Sequence, residues 1–218
     1  SMLSILVDVM VNTEAWQPAY NEGLMRLLVA TTNPGKVREI RELLQGLDVE
    51  LLTLDDMPFV EAPDETGHTF EENARQKAMY YAGASGFLTV AEDSGLEIDA
   101  LNREPGIHSA RYGGDSATYP EKFALIYGRL DAVHGRGSTA RFVCALALVQ
   151  GHDVLFEARG TVEGTIADVP RGDGGFGYDP IFYYPPLGQT LAEIGHEKSS
   201  VSHRAEAFKQ LRRFLERR

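Results

Sequence analysis

The hexapeptide Thr31-Thr32-Asn33-Pro34-Gly35-Lys36 separates an apolar run, Arg26–Ala30, from a segment, Lys36–Gln45, in which Val37, Ile40, Leu43 and Leu44 recur at helical spacing. A helix start presents unpaired N–H groups and the positive end of the helix dipole. Gly35 permits close backbone approach and Lys36 adds a cation, so the segment suits a phosphate. The spacing G-x-x-x-x-G-K-S/T is absent, which disfavours P-loop kinase or motor-ATPase chemistry. Taken alone, a structural turn followed by an exposed lysine explains the motif equally well.

A second constellation, Glu92-Asp93-Ser94-Gly95, follows the short apolar run Thr89–Ala91, read here as a strand ending at the acids. In an α/β sheet ligands gather at the carboxyl ends of strands, where two adjacent carboxylates can hold hydrated magnesium and orient a water. Asp93 is the candidate base. An acidic turn in which Asp93 only hydrogen-bonds its loop is the alternative. Asp64-Glu65, ahead of Thr66-Gly67, offers further acid to a metal.

The run Gly174-Gly175-Phe176-Gly177-Tyr178-Asp179-Pro180 combines backbone freedom with two rings and a carboxylate. A ring can stack on a base and Asp179 can accept from a base N–H, with Pro180 keeping Asp179 extended. A tight turn with inward-packed rings is the competing reading. Further on stand Lys198 and Ser202-His203-Arg204. A 6-oxopurine presents an acceptor where adenine presents an amino group, so such donors favour hypoxanthine or xanthine. Near a helix start, such residues taken singly serve more often as surface or capping groups.

The elements that must carry these groups alternate between strand and helix. Val49–Leu54 reads as a second strand and Asp55–Gly67 as an acidic, proline-containing loop. A second helix runs from Thr69 to about Gly83, where Thr69-Phe70-Glu71-Glu72 fits a capping box. Tyr119–Val133 is a third helix. Arg141–Gln150, apolar on both alternating faces, is a central strand that turns at Gly151-His152-Asp153 into Val154–Gly164. The last helix spans about Ser199–Glu216, with Val201, Ala205, Phe208, Leu211 and Leu215 on one face.

At 218 residues and 43% hydrophobic composition the chain is long enough for a sizeable core in one domain. Its formal charge of −11 argues against a nucleic-acid coat or an anionic-membrane binder. The apolar run Leu3–Val11 is too short to span a bilayer, and residues 1–24 read as an extension ahead of a domain at residues 25–218. The single cysteine, Cys144, lies within the apolar run Phe142–Val149, which fits core packing and a reducing, cytoplasmic setting.

Read together and in order, Thr31-Thr32-Asn33-x-x-Lys36, Thr69-Phe70-x-Glu72-Asn73-Ala74-x-x-Lys77-Ala78, Glu92-Asp93-Ser94-Gly95-Leu96, Pro105-Gly106-Ile107-x-Ser109-Ala110-Arg111-Tyr112, the Gly174–Pro180 run and Lys198-x-x-x-Ser202-His203-Arg204 resemble the signature blocks of the inosine triphosphate pyrophosphatase (Ham1-like) family. The resemblance extends from about Met25 to the C-terminus. It implies an α/β fold with a mixed central sheet flanked by helices, two lobes in an elongated shape, a nucleotide cleft between them, and a homodimer. It also implies magnesium-dependent hydrolysis of non-canonical purine nucleoside triphosphates, those of inosine, deoxyinosine and xanthosine, to monophosphate and pyrophosphate. A non-catalytic purine nucleotide-binding module, or a pyrophosphatase for other modified nucleotides, is the alternative. By the same resemblance Thr31, Thr32, Asn33, Pro34, Gly35 and Lys36 meet the triphosphate, Asp93 is the water-activating acid and a metal ligand, and Ser94 binds substrate. Phe176, Gly177, Tyr178, Asp179, Lys198, His203 and Arg204 surround the base, and Asp64 or Glu65 is the second metal ligand. Thr32 stands where the family commonly has glycine, and Glu92 where it commonly has aspartate.

Overall fold

A computed structural model of the chain describes residues 24–194 and 202–217. Of the expected extension only Leu24 falls within them, and Lys198 lies outside. The first strand, β1 (Met25–Val29), leads into α1 (Pro34–Leu43), β2 (Val49–Thr53), α2 (Phe70–Ser85) and β3 (Leu88–Ile98). After α3 (Tyr119–Ala132) come the long hairpin β4 (Thr139–Gln150) and β5 (Asp153–Ile166), the short strands β6 (Phe182–Tyr184) and β7 (Gln189–Thr190), α4 (Leu191–Ile194) and α5 (His203–Leu215). The sheet order is β2-β1-β3-β4-β5-β6-β7. Pairing of β1 with β2 and β3 is parallel, and every later pair is antiparallel, so the α/β fold with a mixed central sheet is as expected.

Alternation along β1 assigns the helices to faces. Leu27 and Val29 pack with Ile40 of α1 and Phe208 and Leu211 of α5, whereas Leu28 and Ala30 pack with Ala74, Ala78 and Tyr81 of α2. A further cluster lies toward the other end of the sheet, where Leu96, Ile98 and Phe142 meet Phe123, Ile126 and Leu130 of α3 and Ile181 and Phe182 beyond β5. The hydrophobic interior is thus divided along one continuous sheet. Arg204 at the start of α5 lies among these clusters and is 1% exposed.

Helix starts follow the sequence signals closely. Asn33 caps α1, its side-chain oxygen accepting from the N–H groups of Gly35 (2.9 Å) and Lys36 (3.2 Å), with Pro34 needing no partner. Thr69 caps α2 through the Glu72 N–H at 3.1 Å. The return half of the expected capping box goes elsewhere, because Glu72 accepts from the His68 N–H at 2.7 Å. Gly86, with φ of 72°, closes α2 in the left-handed conformation that glycine adopts without a Cβ clash.

One local reading is corrected. The acids do not terminate a short strand, since β3 continues for 11 residues through Glu92, Asp93, Ser94 and Gly95. Pairing with β4 carries it, with Glu92 opposite Leu146, Asp93 opposite Ala145 and Gly95 opposite Val143. Non-local pairing to an apolar central strand outweighs the turn character of the tetrapeptide. What ends at this point is β1, whose register with β3 stops at Val29 opposite Val90. Beyond Val90 the β1-side edge of β3 meets a 3-10 segment, Gly106–Arg111, where Ser109 Oγ accepts from the Leu96 N–H at 2.9 Å. A side chain at Gly95 would collide with that segment, its Cβ falling 2.4 Å from the Gly106 carbonyl oxygen.

Candidate functional site

The cleft opens where β1 stops and β3 continues. Because β2 and β3 flank β1 on opposite sides, this is a topological switch point, the position at which open α/β sheets bind ligands. A cavity of about 270 Å³ lies there. Thr31, Thr32, Asn33, Lys36, Glu65, Ser94, Phe176, Gly177, Tyr178, Asp179, His203 and Arg204 all line it, so most residues singled out in the sequence converge on one space. Pro34 and Gly35 form the first turn of α1 behind that wall, and a Cβ on Gly35 would stand 3.0 Å from Phe176 Cδ1.

Part of the cavity lining is cationic. Lys36 and Lys77 both line it, beside Thr31, Thr32 and Asn33. The helix-start N–H groups are less available than the sequence implies, because Asn33 already accepts from two of them. An anion there therefore meets hydroxyls, an amide and ammonium groups before backbone N–H.

Another part of the lining is aromatic. Tyr178 is buried, donates to the Ser109 carbonyl at 2.8 Å and meets Tyr119 edge-on at 5.3 Å and 90°. His203 stacks on Phe142 at 4.9 Å with 14° between the rings, and the Arg204 guanidinium lies 5.6 Å from the centre of the Phe176 ring. Asp179, 2% exposed, accepts from the Phe176 N–H at 2.8 Å, which fixes the glycine-rich turn.

Strand β3 sends Glu92 and Asp93 to opposite faces of the sheet, so they do not form one acidic pair. Glu92 Oε1 receives Lys36 Nζ at 2.8 Å and Arg204 Nη2 at 3.3 Å, while Cys144 Sγ lies 3.3 Å from Oε2. Burial opposes the Glu92 charge, yet Arg204 and Lys36 outweigh it and hold the carboxyl well below its usual range. Arg204 also pairs with Glu39 and donates to Ser94 Oγ at 3.1 Å.

On the α2 face, Asn73 Nδ2 donates to Asp93 Oδ2 at 3.0 Å and the Ser94 N–H donates to Oδ1 at 2.9 Å. Burial raises the Asp93 pKa, and the opposing pulls of Lys77, Lys36 and Asn73 do not cancel it. Lys77 Nζ contacts Glu65 Oε1 at 2.5 Å and lies 3.4 Å from the Glu92 carbonyl oxygen. Burial opposes the Lys77 charge, but Glu65 and Asp93 raise its pKa. The Glu65 carboxyl is lowered because Lys77, Lys36 and Arg111 outweigh its burial.

Glu65 and Asp93 are an all-oxygen set of the kind a hard divalent cation takes, and Asp93, whose negative charge burial disfavours, gains from a nearby positive one. Among the described residues no three His, Cys, Asp or Glu side chains converge as a self-sufficient metal site. The two carboxylates match the pattern in which magnesium takes one or two protein ligands and completes its shell with substrate phosphates and water. Asp64 is exposed and does not line the cavity.

Asn73 and Lys77 received no separate role from the sequence, although both stand in a quoted block. Their spacing of four residues on a capped helix was the available signal, since it puts both side chains on one face. Tyr119, Phe142 and Ala110 carried no such signal.

Comparisons with known proteins agree with this geometry. The Ham1 family model matches residues 27–214. The dITP/XTP pyrophosphatase of Thermus thermophilus is 49% identical over 190 residues, spanning 86% of this chain and 90% of that protein. Its Bacillus subtilis counterpart, also a dITP/XTP pyrophosphatase, is 43% identical over 87% of this chain and 96% of its own length. Among solved structures, a HAM1 protein from Coxiella burnetii superposes with a TM-score of 0.81 at 38% identity, covering 89% of this chain and all, 100%, of that one. With a cavity of matching chemistry at its switch point and relatives this similar over most of its length, the chain belongs to the Ham1 family.

Proposed function

We propose that this protein hydrolyses non-canonical purine nucleoside triphosphates, those of inosine, deoxyinosine and xanthosine, to the monophosphate and pyrophosphate. The observation that carries the reading is one cavity lined by ammonium groups, aromatic rings and hydrogen-bond donors, with Asp93 buried next to its lining residue Ser94. Relatives named dITP/XTP pyrophosphatases support the choice of substrate.

In this reading Thr31, Thr32, Asn33, Lys36 and Lys77 bind the triphosphate, Ser94 binds substrate, and Phe176 to Asp179 with His203, Arg204 and Lys198 surround the base. Asp93 acts as the general base toward water, oriented by Asn73 and the Ser94 N–H. Glu65 and Asp93 would hold magnesium, which supplies charge neutralisation on the phosphates when bound. Glu92 holds Lys36 and Arg204 together about a single carboxylate oxygen. The work is positioning and charge stabilisation, and no covalent nucleophile is needed.

We further propose a homodimer acting in the cytoplasm. Among the described residues no helix is long and apolar enough to cross a membrane. The deciding experiment incubates the protein with inosine triphosphate and magnesium and identifies the products. Monophosphate and pyrophosphate are expected, whereas orthophosphate released singly contradicts the assigned bond cleavage.

A further inference from the structure

Lys122 on α3 is 4% exposed, and its partners are a carbonyl and a ring rather than a carboxylate. Its Nζ donates to the Ala110 carbonyl and lies 4.9 Å from the centre of the Tyr119 ring. Burial pushes its pKa down. A buried cation held this way carries a desolvation penalty that core packing alone does not require.

What it holds faces the cavity. Tyr119 and Lys122 stand three residues apart at the start of α3, on one side of the helix. Tyr119 lines the cavity, and its hydroxyl oxygen lies 3.5 Å from the point a Cβ on Gly177 would occupy. Burial and, less strongly, the Asp179 carboxylate raise the Tyr119 pKa. Ala110 lines the same cavity, and its neighbour Ser109 is held through its carbonyl by Tyr178. Tyr119, half-exposed, therefore stands with Tyr178 in the aromatic part of the cavity wall, a surface against which a planar base can pack.

We propose that Tyr119 is a base-contacting specificity residue and that Lys122 positions it, the ammonium fixing both the Tyr119 ring and the Ala110 carbonyl in the cavity wall. This rests on the purine triphosphate reading and names the wall the base meets.

The test is steady-state hydrolysis of inosine triphosphate by the full-length protein, with inorganic tripolyphosphate as a competitive inhibitor that has no base. Wild-type turnover is the control for the parent reading: its absence sinks that reading, whereas an active wild type with indifferent variants sinks only this proposal. Lys122→Met is expected to raise KM about 5-fold with kcat within about 2-fold, and Tyr119→Leu to raise KM about 10-fold. Neither changes inhibition by tripolyphosphate. The double variant is no worse than Tyr119→Leu, because Lys122 acts through the ring. Additive losses, an equal loss of tripolyphosphate affinity, or an unchanged KM in Lys122→Met overturns the proposal. Should Lys122→Met fail to fold, Lys122→Gln keeps an N–H for the Ala110 carbonyl but loses the cation. Its KM is expected to rise about 3-fold, and no rise there is equally fatal.

Discussion

Glu92 and Asp93 are neighbours on one strand, yet their environments are opposites. Glu92 faces α1 and α5 and is saturated with positive charge from Lys36 and Arg204, so its carboxyl is held far below the usual range. Asp93 faces α2, where burial outweighs the cations near it and its pKa rises. Lys77 is divided between Asp93 and Glu65. Two carboxylates that differ by one position thus differ in charge environment, and under the proposed function Asp93 is the one that takes the proton or metal chemistry. Strand geometry does the sorting, because adjacent side chains leave the sheet on opposite sides.

The sharpest way to break this contrast is to neutralise each acid in turn. Asp93→Asn keeps the shape of the side chain and removes the base, so kcat is expected to fall about 10³- to 10⁴-fold in product-release assays. Its thermal stability should hold or improve, since a buried, under-compensated charge has been removed. An Asp93→Asn protein with wild-type turnover would remove Asp93 from the base role.

Glu92→Gln should do the reverse and strike stability first. It leaves Lys36 and the buried Arg204 guanidinium without their shared anion, a change expected to destabilise by about 3–5 kcal/mol in denaturant unfolding. A loss below about 1 kcal/mol would mean that Glu39 and Ser94 suffice for Arg204 and that Glu92 has another task.

Acid titration separates the two faces by sign. The Glu92 pKa is depressed, so its contribution to stability is present above the unfolded value near 4.5 and is lost as pH falls toward the folded value. The Asp93 pKa is raised, so its contribution is present below the unfolded value of 3.8 and is lost as pH rises through the folded value. Unfolding free energy measured from pH 3 to pH 6, on the order of these pKa values, should therefore flatten at its acid end in Glu92→Gln. Asp93→Asn should lose the opposing slope and gain stability at neutral pH. Matching curves for the two variants would contradict the division.

The smallest expected effect concerns the contact across the cleft. Gly35→Ala places a methyl group 3.0 Å from Phe176 Cδ1, so the ring must shift by a few tenths of an ångström. A rise in KM of about 2- to 5-fold with little change in kcat is expected, on the order of 0.5–1 kcal/mol. An unchanged KM would show that the Phe176 ring is not held against α1 when substrate binds.

Much of the fold was legible because local signals and tertiary demands agreed. The Thr69 cap and the doubly apolar run of β4 each act over a few residues and stand where their patterns placed them, whereas α1 starts at Pro34 rather than Lys36 and α2 runs to Ser85, past the expected end near Gly83. The short strands β6 and β7 carried no period long enough to read. The end of β3 was misread because Glu92-Asp93-Ser94-Gly95 has the composition of a turn, while its state is decided by pairing with residues about 50 positions away.

The sequence by itself determined which chemistries were on hand: a capped, lysine-bearing helix start, a paired-acid tetrapeptide, an aromatic glycine-rich turn and a histidine-arginine helix entry, in an order that marks a family. It also determined the charge balance that argues against a nucleic-acid coat. Only the tertiary structure decided the partition of the two acids, the recruitment of Asn73 and Lys77 from α2, the separation of Asp64 from Glu65, and the place of Tyr119 in the wall. The physical reason is one of range. Helix caps and periodicity are set by neighbours within a turn, whereas burial, ion pairing and the resulting pKa shifts depend on which distant elements close around a side chain.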